Sequence, residues 1–308
     1  MEKIYDMLIV GGGPGGYTAA LYATRAGLST LVLEKLSAGG QMALTAEIDN
    51  YPGFPEGVDG FQLGMDMQAG AERFGAETRM AEVTKLELDA PVKLVHTSEG
   101  IFRGRTVVLS TGANPRKLGL PMEDALTGKG LHYCAHCDGM FYRNKTVMVV
   151  GGGNTAVADA LLLSRICKKV ILVHRRDTLR ATQLYHAQLE KAENVEFRWN
   201  STVTQLLHGD RLNGVKLKNV VTGEETEEFF DGLFVSIGRD PASHLVAGLL
   251  ALDDQGYVLA DESTRTSLPG VFAVGDVRTK ALRQIVTAVA DGAVAAHYAE
   301  MALSEENI

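Results

Sequence analysis

The sequence predicts an α/β protein built from two units, in each of which a buried parallel strand leads through a glycine-rich turn into a helix. The apolar run MLIV at residues 7–10 precedes GGGPGG, and TVMVV at residues 146–150 precedes GGGNTA. Residues 82–101 and 195–230 alternate between apolar and polar side chains, as antiparallel strands do. The expected fold is therefore two Rossmann-like dinucleotide-binding domains, three-layered, with a parallel sheet and an antiparallel meander.

Length and charge narrow the function classes. With 308 residues, the chain is long enough for two domains that each have their own core. The formal net charge of −8 and the lack of a basic tract argue against nucleic-acid binding. No apolar run approaches the roughly 20 residues that span a bilayer, and the N-terminal residues lack the apolar core of a signal peptide. We therefore expect a cytoplasmic protein with no nucleic-acid or membrane partner.

The first glycine-rich turn is predicted to bind a dinucleotide. In the GxGxxG pattern the first glycine makes the tight turn, the second lets a pyrophosphate approach, and the third lets helix and strand pack closely. The next strand, residues 30–34, ends in an acid whose carboxylate can accept a hydrogen bond from a ribose hydroxyl. The predicted ligand residues are Gly11, Gly13, Pro14, Gly15, Gly16 and Glu34.

Three further segments can contribute to this first site. Loops within residues 38–53 carry amides that can meet a flat heteroaromatic ring, although ordinary connecting loops have the same composition. The strand at residues 271–276 ends in a carboxylate that can accept from a polyol or ribose hydroxyl. A helix from about residue 283 to residue 302 can stabilise negative charge at its N-terminus. The residues concerned are Gly40, Gln41, Asn50, Gly275 and Asp276.

The second glycine-rich turn repeats the first after 140 residues, with alanine in place of the third glycine. Its next strand ends in His174, at the offset where the first copy has Glu34. Arginines follow, and arginines at this position bind a 2′-phosphate that a carboxylate would repel. We therefore expect NADPH here, the alternative being a solvated basic patch. The predicted residues are Gly151, Gly153, Asn154, Thr155, Ala156, His174, Arg175, Arg176 and Arg180.

The segment CAHCD at residues 134–138 lies between the two turns and predicts redox chemistry. Two thiols at this spacing can close and reopen a small disulfide ring, with the thiolate as attacking species. Asp138 can move a proton on or off a thiol. Two alternatives are open: a zinc site formed by Cys134 and Cys137 with His132 and His136, and an inert disulfide. No second CxxC pair supports zinc, and the third cysteine, at residue 167, is expected to be a plain thiol.

Loop signals suggest how the two domains are connected. Residues 113–115 and 239–241 each contain a proline after an apolar strand, and both segments are predicted to cross between domains. Within the second meander, Asn213-Gly214 and Thr222-Gly223 are predicted turns.

The motifs, in this order, resemble the low-molecular-weight, bacterial-type thioredoxin reductases, which are FAD- and NADPH-dependent members of the pyridine nucleotide-disulfide oxidoreductase family. The resemblance covers essentially the whole chain. Its most specific parts are CAHCDG at 134–139, GGGNTA at 151–156, HRRD at 174–177, and Gly275-Asp276 with Arg283-Gln284.

The resemblance implies FAD in the first site, a homodimer, and an NADPH-binding domain at residues 114–241 inserted into an FAD-binding domain made of residues 1–113 and 242–308. It also assigns Thr111, Gly112, Ile237, Arg283, Gln284 and Ile285 to the cofactor sites. Hydride would pass from NADPH to the flavin, which opens the Cys134–Cys137 disulfide; Cys134 would then attack thioredoxin, Cys137 would lie next to the flavin, and Asp138 would be the acid–base residue. The inserted domain would rotate about the two crossings.

Two other functions are compatible with the same motifs. A flavoprotein of the same fold can use another disulfide or dithiol, either a small molecule or another thioredoxin-like protein. A nucleotide-binding redox sensor that does not turn over is a different class. One departure from the family pattern is His136, where a small polar residue is expected. When protonated it would favour the Cys134 thiolate; an exposed neutral histidine would have little effect.

Overall fold

A computed structural model describes residues 3–305 except 46, 182–187 and 190. The chain divides into two compact units. The discontinuous unit consists of Met1–Asn114 and Asp240–Ile308, and the inserted unit consists of Pro115–Arg239.

The elements of the described residues are numbered in chain order. The strands are β1 (Ile4–Val10), β2 (Thr30–Glu34), β3 (Glu77–Met80), β4 (Val83–Glu87), β5 (Lys93–Thr97), β6 (Gly100–Leu109), β7 (Ala113–Pro115), β8 (Leu131–His132), β9 (Thr146–Val150), β10 (Lys169–Val173), β11 (Val195–Arg198), β12 (Ser201–His208), β13 (Leu212–Asn219), β14 (Glu225–Phe229), β15 (Gly232–Val235), β16 (Arg239–Pro241) and β17 (Val271–Ala273). The helices are α1 (Pro14–Arg25), α2 (Gly60–Glu72), α3 (Glu123–Leu126), α4 (Ala135–Asp138), α5 (Asn154–Ser164) and α6 (Ile285–Glu305).

The discontinuous unit is organised around a mixed sheet. Strands β3, β2, β1 and β6 are adjacent and parallel, and the end of β6 also pairs with β17. The start of β6 pairs with β5 in the antiparallel sense, and β4 follows at the edge. Strands β1 and β2 are apolar almost throughout because both faces are buried, as parallel sheets require. Helices α1 and α6 meet through alanines, including Ala19, Ala23, Ala295 and Ala299.

The inserted unit repeats this plan with a second sheet. Strands β11, β10, β9, β15 and β8 form five parallel neighbours in that order, and β12, β13 and β14 form a separate antiparallel meander. One apolar cluster packs α5 against the sheet, and another packs the meander against it. The α/β class with parallel sheets and antiparallel meanders is confirmed.

One predicted turn is wrong. Asn213 and Gly214 lie inside β13, and the chain reverses between His208 and Leu212 instead. Gly214 is there because a Cβ atom would lie 2.8 Å from the carbonyl oxygen of Glu228, so the residue permits close approach of the neighbouring strand. The turn predicted at Thr222-Gly223 is present, with φ of +76° at Gly223.

Two boundaries also differ from the sequence expectation. The last helix begins at Ile285 and continues to Glu305, beyond the expected end near residue 302.

Across the described residues, no helix combines the length and apolarity needed to cross a membrane.

Candidate active site

The first glycine turn has the geometry that a phosphate group requires. Gly11 has φ of +100°, and a Cβ atom there would lie 2.5 Å from the carbonyl oxygen of Ser110. A Cβ on Gly16 would lie 2.2 Å from the Gly11 oxygen, so helix and strand pack at a distance that only glycine allows. Gly13 is different, since its φ of −74° suits any residue and the nearest atom to a Cβ would be 3.8 Å away. The fold does not need glycine at this position, but a closely approaching pyrophosphate does.

Glu34 closes one side of this turn. It ends β2 and is buried, and one carboxylate oxygen accepts from the Gly12 N–H at 2.7 Å. The other accepts from the Leu36 N–H at 2.9 Å. Each oxygen has a second lone pair, so the held carboxylate can also accept from ribose hydroxyls. Pro14 and Gly15 open helix α1, whose N-terminus faces the turn and favours negative charge.

The loop after β2 reaches the same turn. The Gly39 N–H donates to the Gly12 carbonyl at 2.8 Å, and a Cβ on Gly40 would lie 3.7 Å from the Gly13 Cα. The Gln41 amide donates to Asn114 Oδ1 at 2.9 Å. Of the predicted loop residues, Gly40 therefore lies beside the glycine turn, and Gln41 contacts Asn114.

A second group of predicted residues gathers around the start of α6. The Asn50 amide donates to the side-chain oxygen of Gln284 at 3.1 Å. Arg283 lies 3.9 Å above the ring of Tyr257, and its guanidinium donates to the backbone oxygen of Asp276 at 3.4 Å. Asp276 itself is half-buried.

Two more predicted residues stand at the end of β6. The Thr111 hydroxyl donates to the Ala242 carbonyl at 2.7 Å, and Gly112 has φ of +72° with open space where a Cβ would be. They lie next to Ser110, whose carbonyl packs on the glycine turn. The first-site residues thus lie at the carboxyl ends of four parallel strands, β1, β2, β6 and β17, where ligands of such sheets bind.

A buried ion cluster supports the Gly275 turn, and the sequence analysis missed it. Asp291 on α6 accepts from the Gly275 N–H at 2.8 Å, from Arg278 at 2.8 Å and from Lys280 at 2.7 Å. All three side chains are nearly inaccessible to solvent. Burial alone would raise the pKa of Asp291, but the bonds from Arg278 and Lys280 hold that pKa below its usual range. No motif spacing points to this cluster.

The second glycine turn, in the inserted unit, has the same construction. Gly151 has φ of +153°, and a Cβ there would lie 2.4 Å from the Ser236 carbonyl oxygen. A Cβ on Gly152 would lie 2.2 Å from the ring of His174. Gly153 has φ of −92° and nothing within 4 Å of a Cβ position, so it too leaves space for a phosphate. Asn154, Thr155 and Ala156 then form the first turn of α5.

The basic residues surround that turn. His174 is buried at the end of β10, and its Nε2 has no hydrogen-bond partner among the described residues. Burial lowers the pKa of His174, and the charges of Arg180, Arg175 and Arg176 lower it further, so the ring is neutral near pH 7. All three arginines are exposed. The Arg180 N–H donates to the Gly152 carbonyl at 2.7 Å, which draws this arginine to the glycine turn.

Ile237 is the remaining predicted cofactor residue. It follows β15, is half-buried, and packs against the apolar cluster under the sheet. It directly follows Ser236, whose carbonyl packs on Gly151, so it lies at the same carboxyl end of the parallel strands as the second glycine turn.

The two cysteines of the CAHCD segment form a disulfide, with 5.3 Å between their Cα atoms. Cys134 precedes helix α4, and its sulfur accepts from the Cys137 N–H at 3.1 Å. Both side chains are half-buried, so the pair is reachable from outside the core. Within the described part of the chain, no cluster of three or more His, Cys, Asp or Glu residues could hold a metal.

Asp138 is held by a partner that the sequence analysis considered only as a zinc ligand. His132 Nδ1 lies 3.2 Å from Asp138 Oδ2, and His132 Nε2 lies 2.7 Å from the Tyr142 hydroxyl. Arg211 reaches the same hydroxyl at 3.4 Å. The contact with Arg211 joins residues 69 positions apart, so only the folded chain reveals it.

Two other titratable groups of the inserted unit, Asp159 and Cys167, are buried. Asp159 on α5 accepts from the Ser236 hydroxyl at 2.6 Å. Burial raises the pKa of Asp159, while the Ser236 bond and the charges of His136 and Arg239 oppose that rise. Cys167 is a buried free thiol, and burial raises its pKa to about 11. It fits the expectation of a plain thiol.

Comparisons with known proteins show which family the chain belongs to. The family model described as pyridine nucleotide-disulphide oxidoreductase matches residues 5–292. The chain is 45% identical over 305 residues to a thioredoxin reductase of Listeria monocytogenes, covering 99% of this chain and 95% of that protein. It is 43% identical to a thioredoxin reductase of Mycolicibacterium smegmatis, covering 99% of each.

A solved structure is also similar. The crystal structure of thioredoxin reductase from Streptococcus pyogenes matches with a TM-score of 0.92 and 42% identity, covering 99% of this chain and 100% of that one. On these matches, the chain belongs to the pyridine nucleotide-disulphide oxidoreductase family.

Proposed function

We propose that this family member is an NADPH-dependent thioredoxin reductase that uses FAD. The observation that carries the proposal is the Cys134–Cys137 disulfide, directly followed by Asp138, in the same unit as a glycine turn that packs on His174 and its neighbouring arginines. The relatives named thioredoxin reductase, which match over nearly the full length, support thioredoxin as the substrate. We further propose a cytoplasmic homodimer.

The residues present fit two dinucleotides. FAD would be held in the discontinuous unit by the open space at Gly13, the Glu34 carboxylate and the Gly275-Asp276 turn. NADPH would be held in the inserted unit by the open space at Gly153 and the three arginines, with the unpartnered His174 Nε2 as an additional polar atom. Bound together, these cofactors supply the two electrons that open a disulfide. The discontinuous unit would therefore be the FAD-binding domain, and the inserted unit the NADPH-binding domain.

The chain's own residues then carry the exchange with thioredoxin. Opening the disulfide to two thiols takes up two electrons and two protons. Cys134, as thiolate, would attack the substrate disulfide, and Cys137 would later attack Cys134 to close the ring again. Asp138 would give the departing sulfur its proton and recover one afterwards.

Anaerobic titration tests this proposal. NADPH added to the purified flavoprotein is expected to bleach the flavin absorbance, and oxidised thioredoxin added next is expected to restore it. NADH is the matched control and is expected to act much more weakly, because it lacks the 2′-phosphate. Bleaching by NADPH with no recovery on adding any thioredoxin would overturn thioredoxin as the substrate. Equal use of NADH and NADPH would overturn the arginine site.

A further inference from the structure

The side chains of Arg211, Tyr142, His132 and Asp138 form a continuous series of polar contacts that ends at the Asp138 carboxylate. A single protonation state of the imidazole satisfies every member. His132 Nδ1 lies within ion-pair distance of Asp138 Oδ2, at 3.2 Å, and with the proton on Nδ1 the Nε2 atom accepts from the Tyr142 hydroxyl at 2.7 Å. The Tyr142 oxygen in turn accepts from Arg211 at 3.4 Å. In this protonation state Arg211 donates to Tyr142, Tyr142 donates to His132, and the His132 proton lies on the nitrogen nearer to Asp138.

The series runs from the protein surface to the disulfide. Arg211 is exposed, whereas Tyr142 and His132 are only 3% and 7% accessible. Asp138 is partly accessible, with 19% of its side chain exposed, and it directly follows Cys137.

Packing fixes the imidazole in this position. His132 lies in β8, whose register places it opposite Phe234 of β15. The two rings stack with centroids 5.4 Å apart, and the Tyr142 ring meets the imidazole edge-on at 5.3 Å. The ring is therefore held by two aromatic neighbours, by the hydrogen bond at Nε2 and by the contact of Nδ1 with Asp138.

We propose that His132 is a positioning and proton-relay residue for Asp138. The inference rests on the proposed function, in which Asp138 protonates the departing sulfur. When the Cys134 thiolate attacks, a new S–S bond forms, the substrate S–S bond breaks, and the departing sulfur leaves with the electron pair. It takes from Asp138 the proton that Cys134 released on forming its thiolate, and the resulting carboxylate takes the Nδ1 proton of the neutral His132 ring. His132 is reprotonated at Nε2 through the Tyr142 hydroxyl.

The second half of the exchange accounts for the remaining protons and electrons. Cys137 then attacks Cys134, so the intramolecular disulfide re-forms and the second substrate sulfur leaves with the proton held by Asp138. The Cys137 proton passes to Asp138 and outward along the relay, which restores the Nδ1–H form of His132. The dithiol gives up two electrons and two protons, and the substrate disulfide gains both. His132 and Asp138 end as they began, so the relay adds no oxidant or reductant.

Two variants separate a relay from a purely structural role. His132→Asn keeps a donor near the position of Nδ1 but cannot carry a proton between two nitrogens. Tyr142→Phe keeps the ring packing and removes the outer hydroxyl. Each protein is reduced with excess dithiothreitol, desalted anaerobically, and mixed rapidly with a disulfide. Thermal unfolding and flavin content serve as folding controls, and Tyr142→Phe decides the matter if His132→Asn does not fold.

The choice of disulfide supplies the discriminating readout. Bis(2-hydroxyethyl) disulfide releases a basic alkyl thiolate that needs a proton, whereas dithiobis(nitrobenzoate) releases a stable aromatic thiolate that does not. We expect both variants to react about tenfold more slowly with the alkyl disulfide and within about twofold of the parent with the aromatic one. An equal loss with both disulfides, or no loss with either, would overturn the relay.

This assay contains neither NADPH nor thioredoxin, so its outcome is independent of the proposed electron source and substrate. Failure of thioredoxin reduction by the parent protein, together with the expected split between the two disulfides, would overturn the proposed function and keep the relay. Normal thioredoxin reduction without the split would do the reverse.

Discussion

At the scale of single residues, environment decides what each of the three cysteines can do. Cys134 and Cys137 are half-buried and joined, while Cys167 is buried under α5. The sequence predicts these roles because CxxC spacing carries its own chemistry and Cys167 has no partner at that spacing. It does not predict that His132 lies beside Asp138, that Tyr142 contacts His132 or that Arg211 contacts Tyr142, since these contacts exist only in the folded chain.

The raised pKa of Cys167 has a direct consequence for alkylation. Burial disfavours its thiolate and raises the pKa to about 11, so the neutral thiol dominates at pH 8. Iodoacetamide should therefore modify two thiols quickly in the reduced native protein and the third only after unfolding. Mass spectrometry of the modified peptides measures this. Rapid modification of Cys167 in the folded protein would contradict the assigned burial.

Replacing the inner cysteine should separate two half-reactions. We expect Cys137→Ser to abolish thioredoxin reduction, because the disulfide cannot form, while NADPH still bleaches the flavin. Cys167→Ala is the matched control and should retain at least about half of the parent activity, since its thiol takes no part in exchange. Stopped-flow absorbance and a thioredoxin assay record the two steps. Thioredoxin reduction by Cys137→Ser would rule out the assigned path.

At the scale of elements, both glycine turns were predictable because their spacing encodes a backbone geometry. Gly11 and Gly151 need positive φ, which no other residue adopts easily. Asn213-Gly214 misled because the same dipeptide serves a turn or a close strand contact, and only the neighbouring strand decides. The cluster of Asp291 with Arg278 and Lys280 was not predictable, because buried ion pairs leave no spacing signature.

The second glycine of each turn gives a clean test of ligand approach. Gly13 and Gly153 have backbone angles that alanine adopts, with open space for its methyl group. We expect Gly13→Ala to fold but lose flavin, and Gly153→Ala to keep flavin but show a raised KM for NADPH. Gly70→Ala, in helix α2 with open space around it, is the matched control. Normal cofactor binding by both variants would contradict the phosphate assignments.

The ion cluster should matter for stability. Removing the Asp291 charge leaves Arg278 and Lys280 buried without compensation, so Asp291→Asn should lower the free energy of unfolding at pH 7 by about 3–5 kcal/mol. The folded-state pKa of Asp291 lies below its unfolded value, so this contribution is present above the unfolded pKa and is lost as pH falls through the folded pKa.

Denaturant unfolding at pH 7 and in acid measures both effects. The difference between parent and Asp291→Asn should shrink in acid. A difference that stays constant down to pH 3 would mean that the carboxylate charge is not what stabilises the Gly275 turn.

At the scale of the whole molecule, each unit contains one of the two glycine turns proposed to bind a dinucleotide, and the disulfide lies in the inserted unit. The duplication of strand, turn and helix is visible in the sequence, which is why the fold class could be predicted. The two copies differ at the end of the second strand, where the first copy has Glu34 and the second has His174 followed by arginines. This difference is the basis for proposing a different cofactor in each copy.

The arginines should set the preference for NADPH. Arg175→Ala combined with Arg176→Ala should raise the KM for NADPH roughly tenfold or more, with little change for NADH, because the lost contacts are to the 2′-phosphate. Steady-state kinetics with both nucleotides check this. A parallel loss for both nucleotides would mean that the arginines support the fold instead.

The most direct test of the proposed thioredoxin reductase activity is the stoichiometry of turnover under anaerobic conditions, with oxidised thioredoxin as the only acceptor. NADPH oxidation is followed at 340 nm, and thioredoxin thiols are counted after removal of the enzyme. We expect two thioredoxin thiols for each NADPH oxidised and no oxidation when thioredoxin is left out. NADPH oxidation that continues without thioredoxin, or that yields no thioredoxin thiols, would contradict the assignment and point to a different acceptor.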